Sequence, residues 1–125
     1  MTRTDWTRDE IAALLLATPA IAQMNQTAGR QYQAADAAMT RQWQHTYAYM
    51  KGRDAQDRSR GGGFGYAAAT LASQRAWLQF RDTQCVIEGG EFAGGSMQPL
   101  AQAQCKTRLT RERTTQLAKL LWKNR

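Results

Sequence analysis

The arrangement of apolar and polar positions along this chain predicts helices and no strand of useful length. Thr7-Arg8-Asp9-Glu10 has the form of a capping box, in which the Thr7 hydroxyl caps one orphan amide and Glu10 reaches back to another. It opens a first helix ending near Ala17. Thr18-Pro19 then reads as an N-cap followed by proline at the first helical position, where its missing N–H has no bond to lose. The clearest periodic signal comes next. Ile21, Met24, Ala28, Ala35, Met39, Trp43, Thr46 and Met50 recur at intervals of three, four or seven, which places them on one face of a second helix over Pro19–Met50. Gly29 weakens that helix by about 1 kcal/mol relative to alanine. From Lys51 to Gly65 the periodicity dissolves into charge and glycine, and a mobile loop is expected. A third helix is expected from Tyr66 to about Ile87, carrying Leu71, Trp77, Leu78 and Cys85 and stopped by Gly89 and Gly90. The turn Gly94-Gly95 and Ser96 as N-cap lead into a fourth, about Met97–Lys123, with Leu100, Leu109, Leu117, Leu120 and Leu121 as its stripe. The expectation is an all-α protein, a small antiparallel bundle of about four helices forming one domain over residues 1–125.

Composition supports helix, because alanine and glutamine are abundant while valine and isoleucine are scarce. Charge adds a second theme. The net charge is +7, and Lys106, Arg108, Arg111, Arg113, Lys119, Lys123 and Arg125 crowd the C-terminal segment against Glu112 alone. Such a face attracts polyanions, whether nucleic acid, anionic lipid or an acidic cell-wall polymer; a plain solvated helix face is the competing reading. No stretch reaches the ~20 apolar residues that span a membrane. Ile11–Ala22 mimics a signal peptide, ending in the small-x-small pattern Ala20-Ile21-Ala22. Asp5, Asp9 and Glu10 occupy the place of a positive n-region, however, so the segment reads as a helix of a mature chain whose own leader has been removed.

Cys85 and Cys105 lie near the end of one predicted helix and inside the next, across a glycine-rich turn. Helices joined in that way pack antiparallel and bring the sulfurs within reach. A bond closing such a loop stabilises by about 3 kcal/mol and persists in an exported compartment. Two free buried thiols in a reducing cytosol are the other reading. His45 is the single histidine and there is no Cys-x-x-Cys, so neither metal nor cofactor is expected. Catalytic motifs are missing too: there is no His-Glu-x-x-His, no Gly-x-Ser-x-Gly, and Gly61-Gly62-Gly63-Phe64-Gly65 lacks the Lys-Ser/Thr of a phosphate loop. Asp82 and Glu112 are the one candidate carboxylate pair, but Arg81, Arg111 and Arg113 beside them favour structural ion pairing. A non-enzyme is expected. Arg58-Ser59-Arg60 with the glycines and Phe64 is similar to the arginine–glycine–aromatic segments of RNA-binding proteins. A flexible connector is the favoured reading, and nucleic acid the least favoured partner.

Three blocks carry a family resemblance: Gln74-Arg75-Ala76-Trp77-Leu78-Gln79-Phe80-Arg81-Asp82-Thr83-Gln84-Cys85, Gly94-Gly95-Ser96, and Cys105 followed by Leu109-Thr110-Arg111-Glu112-Arg113. In order and spacing they resemble the LprI-type lysozyme-inhibitor family. Met24-Asn25 and Tyr32-Gln33-Ala34-Ala35-Asp36 match its earlier segment more loosely, giving a family-like core of about residues 21–121. Thr27 stands where members often carry cysteine and Thr40 where asparagine is common, so a second disulfide of many relatives is absent; the Lys51–Gly65 loop is also longer than usual. The resemblance implies a helical fold, a periplasmic or secreted location, a Cys85–Cys105 bond, no catalysis, and a lysozyme or other envelope protein as partner. An anionic envelope polymer or lipid on the basic C-terminal helix is the alternative. Asp36, Gln74, Arg75, Trp77, Phe80, Asp82, Leu109 and Thr110 are expected to be structural, with Trp77 and Phe80 as core anchors and Arg81 and Asp82 facing Arg113 and Glu112. Binding is placed at Gly94, Gly95 and Ser96, where a glycine turn before a helix exposes free amides to an anion, together with Arg81 and Arg113.

Overall fold

The structure, a computed structural model, describes residues 8–59 and 61–122, with side chains from Ala20 onward. Three helices account for most of it: α1 (Arg8–Gln56), α2 (Tyr66–Gly89) and α3 (Met97–Lys119), with a single 3-10 turn, Gly90–Phe92, after α2. Among the described residues there is no strand. Helix α2 runs back along α1 and α3 returns beside both, so the 49-residue α1 is a spine about 70 Å long for the shorter α2–α3 hairpin.

The bundle therefore has three helices where about four were expected. The first two expected helices are one element, and Pro19 lies inside α1. A proline forfeits one i→i−4 bond and crowds the preceding turn, which bends a helix without ending it when both flanks favour helix. Here Leu14-Leu15-Leu16-Ala17 and Ala20-Ile21-Ala22 are those flanks. The Thr7 end of the expected capping box lies outside the described residues. Helix α1 also continues through Gln56, so residues 51–56 of the expected loop are helical and the connection shrinks to 57–65. At the far end α3 stops at Lys119 with Leu120 as its C-cap.

Ala28, Ala35, Met39, Thr46 and Met50 are the buried face of α1, spaced alternately by seven and four, as in a bundle seam. Ile21 and Met24, assigned to the same face, are exposed. They fall where α2 has already turned away and only the start of α3, at Leu100 and Gln104, lies alongside. Helix α3 buries Leu100, Thr107, Thr110 and Leu117, while Leu109, Leu120 and Leu121 are only half-buried. Threonine thus lines the seam as often as leucine. Each hydroxyl has a partner, as burial requires: Thr46 donates to the Leu117 carbonyl across α1 and α3 at 2.9 Å, Thr70 to the Tyr66 carbonyl at 2.7 Å and Thr107 to the Ala103 carbonyl at 2.9 Å.

Cys85 and Cys105 form a disulfide joining α2 to α3, with Cα atoms 5.5 Å apart and both residues buried. Gly89, one turn further, explains how the helices come so close. A Cβ there would overlap the Gln102 side chain, so glycine serves the approach as well as the helix end. Beside the bond Arg108 pairs with Glu88 at 2.9 Å. The double variant Cys85→Ala/Cys105→Ala is expected to lose about 3 kcal/mol of stability, read as a lower Tm; an unchanged Tm would show that helix packing alone holds the hairpin.

Candidate functional site

Two arginines occupy the middle of the bundle. Arg81 on α2 sends its Nε to Asp82 at 2.9 Å and one terminal nitrogen to Asp36 of α1 at 3.2 Å and Thr110 of α3 at 3.4 Å. Its guanidinium also lies over the rings of Tyr32 and Trp77, each 5.4 Å away. Burial opposes its charge, but the Asp82 hydrogen bond and the attraction of Tyr32 and Asp82 outweigh burial and raise its pKa. One side chain thus ties all three helices together. Tyr32 is pushed up chiefly by burial, which the nearby Arg81 charge only partly offsets.

Arg113 on α3 is different. It donates to Gln74 at 2.9 Å, Ser73 at 3.0 Å and Gln116 at 3.2 Å, and lies over Trp77 at 5.8 Å. All of its hydrogen-bond partners are neutral, and burial lowers its pKa. Trp77 therefore sits between two cations as a half-buried platform, a cation–π role beyond that of a packing anchor.

Arg81 and Arg113 were singled out as binding residues, and both point into the bundle, 6% and 8% exposed. Asp36 and Asp82 are the Arg81 acceptors, Asp82 where pairing with α3 was expected, and Glu112 is exposed. Phe80 corrects an expectation: it is 52% exposed, not a core anchor. Helix α2 turns Trp77, Arg81 and Cys85 inward, and Phe80 falls outside that stripe. Arg75 is exposed and Leu109 half-buried. The Gly94-Gly95-Ser96 turn is exposed at the disulfide end, with Gly94 at φ 79°. Ser96 precedes α3 but makes no side-chain cap. The Gln98 amide donates to the Gly95 carbonyl at 3.2 Å, the Gly94 amide donates to the Gln98 side chain at 3.1 Å, and Pro99 has no N–H. Fewer amides remain for an anion there than the turn alone implies.

The opposite end holds what sequence reasoning missed. Two carboxylates, Asp54 in the last turn of α1 and Asp57 just beyond it, organise the connection to α2. Asp54 accepts from the Tyr66 amide at 2.7 Å and the Ala67 amide at 2.9 Å, capping α2 from another helix. Asp57 accepts from the amides of Ser59 and Phe64, both at 2.8 Å. Gly61, Gly62, Gly63 and Gly65 all have positive φ. At Gly63, φ is +100° and a Cβ would come within 3.1 Å of the Asp57 carboxylate, so only glycine fits there. The loop expected to be mobile is in this way hydrogen-bonded across its width.

Phe64, at the tip, is 69% exposed and rests on Tyr66 with ring centroids 4.7 Å apart. Tyr66 meets Trp122 edge-on at 6.2 Å. Arg53 stacks over both rings, at 4.8 and 5.3 Å, and donates to the Tyr49 and Tyr66 hydroxyls, which raise its pKa. No local signal announces this arrangement, since its members come from three parts of the chain.

A three-helix bundle pinned by a central arginine network and one disulfide defines a small helical domain. A model of the family described as lysozyme inhibitor LprI matches residues 17–117, and the chain belongs to that family. The match takes in the arginine network, the loop and the disulfide, and confirms the resemblance carried by the Gln74–Cys85 and Leu109–Arg113 blocks. An uncharacterised protein of Rhizobium meliloti (strain 1021) is 36% identical over 105 residues, which cover 82% of this chain and 76% of that protein. No solved structure matches.

Two outcomes test the network and the loop. Arg81→Lys keeps the charge but not the planar fork, and is expected to lose about 1–2 kcal/mol in chemical denaturation, a figure discounted for the solvent around Asp36 and Asp82. The Asp57 carboxyl is held near 2, against an ordinary 3.8, by hydrogen bonds from the Ser59 side chain and the Phe64 and Ser59 amides. Its clamp is therefore intact above about pH 4 and released as the pH falls through about 2. NMR titration of the Ser59 and Phe64 amides should follow that midpoint; a midpoint near 4 would mean that the clamp is open in solution.

Proposed function

We propose that this protein is an exported, non-catalytic inhibitor of lysozyme in the bacterial envelope. The observation that carries the reading is the family match across residues 17–117. A buried disulfide supports it, because such bonds persist in oxidising compartments and are rare in the cytosol. Among the described residues no helix is long and apolar enough to cross a membrane. The arginine network and the tied loop suit a protein that acts by presenting a fixed surface, since little ordering remains to be done on binding.

The alternative of an anionic envelope ligand on the C-terminal helix has less support. Arg113 points inward, Arg108 is paired with Glu88, and Lys106 lies 5.5 Å above the Tyr32 ring. Lys123 and Arg125 lie outside the described residues. The basic run is thus partly consumed by the fold, leaving Arg111 and Lys119 as exposed cations of α3.

Net charge sets the dependence on conditions. At +7 the protein repels a cationic lysozyme and attracts an acidic one over distances that salt screens. Titration of the oxidised protein into lysis assays with lysozymes of both kinds should give saturable inhibition. Added salt should strengthen inhibition of the cationic enzyme and weaken that of the acidic one. No inhibition of any lysozyme at micromolar protein, at either salt concentration, would overturn the reading.

A further inference from the structure

We propose that the loop between α1 and α2 is the inhibitory element, with Phe64 entering the substrate cleft of the target glycosidase and Arg58 meeting its carboxylates. The proposal rests on the inhibitor reading above and names the surface that reading requires.

Four observations carry it. Phe64 is 69% exposed at the tip of a loop, yet its amide is fixed by Asp57 at 2.8 Å and its ring is backed by Tyr66 at 4.7 Å. An exposed aromatic usually costs entropy to immobilise; here backbone and ring are already placed, and preorganised aromatic anchors dominate binding energy. Second, the support is deep. Tyr66 is held by Arg53, whose Nε is buried without a hydrogen-bond partner, and by Trp122, so the platform is built from α1, α2 and the segment after α3. Third, charge is complementary. A glycosidase cleft is concave and carries a pair of carboxylates. The loop that exposes Phe64 also carries Arg58, which is exposed and spends one N–H on the Ala55 carbonyl at 3.2 Å. The one carboxylate within the loop, Asp57, is occupied by Ser59 and Phe64. Fourth, another exposed apolar patch, Ile87 and Phe92 at the disulfide end, adjoins Glu88, Glu91 and Arg108; Arg108 is paired with Glu88, which leaves Glu91 and no free cation to meet a carboxylate-lined cleft.

The test compares full-length, oxidised wild type with Phe64→Ala, Arg58→Glu and Ile87→Ser against a lysozyme that the wild type inhibits. Circular dichroism and Tm report folding in parallel. Phe64→Ala is expected to weaken inhibition about 30-fold, the equivalent of a 2 kcal/mol hot spot, with an unchanged Tm. Arg58→Glu should weaken it about tenfold or more at moderate salt, where long-range charge effects are screened, and Ile87→Ser should leave it unchanged. Wild-type inhibition should be competitive with a soluble oligosaccharide substrate. Inhibition within twofold of wild type for Phe64→Ala, a loss confined to Ile87→Ser, or a non-competitive pattern would each overturn the loop proposal and leave the inhibitor reading standing. A wild type that inhibits no lysozyme would overturn the inhibitor reading, and the loop proposal with it.

Discussion

A guanidinium taken out of water must find acceptors for its N–H groups or it destabilises whatever buries it, and two of them lie in the seam of this bundle. Arg81 reaches α1 at Asp36 and α3 at Thr110, while Arg113 reaches back from α3 to Ser73 and Gln74 on α2. Sliding any helix by one residue would separate these partners, whereas a seam of leucines tolerates such slips with modest loss. The network therefore sets the register of the three helices relative to one another. Its contribution to net stability is smaller than its contribution to uniqueness, because Asp36 and Asp82 are half in water. Much of the family motif becomes intelligible on this basis: Asp36, Gln74, Trp77, Asp82 and Thr110 are there to receive two buried cations.

With the middle held, the two ends of the bundle diverge. At one end the α2–α3 turn relies on the disulfide and on the missing side chain of Gly89, and its exposed residues make few hydrogen bonds to the rest of the chain. At the other, Asp54 reaches from α1 to the first amides of α2, Asp57 just past α1 clamps the loop onto itself, and an aromatic–arginine stack grows beneath it. The same physical device recurs at both scales. A charged group on one helix is satisfied by groups on another, so that neither can reorient alone. For the proposed inhibitor, such prior ordering would spare the cost of ordering on binding.

Helical class, the single disulfide and family membership were legible in the chain because each depends on local pattern or on blocks of identity. The alternating seven- and four-residue spacing of Ala28, Ala35, Met39, Thr46 and Met50 carries the seam of α1 directly. The seams of α2 and α3 were hidden, since Thr70, Gln74, Arg81, Thr107, Thr110 and Arg113 are buried there and hydropathy assigns such residues to the surface. Phe80 was misplaced for the mirror-image reason: an aromatic was assumed to be inside. Pro19 was read as a break because propensity scores each residue alone; the Gly61–Gly65 run is a break between helices, as expected, but one tied down by Asp57.

Sequence by itself determined that the chain is helical, that Cys85 and Cys105 fall on neighbouring helices, and which family it joins, all of which follow from short-range periodicity, spacing and motif. Tertiary structure alone decided that α1 is continuous, that Arg81 and Arg113 face inward, and that Asp54 and Asp57 hold the loop carrying Phe64. The inward arginines and the held loop depend on hydrogen bonds between residues that no local rule pairs. A buried charge finds its acceptors only when the helices bearing them have been brought together.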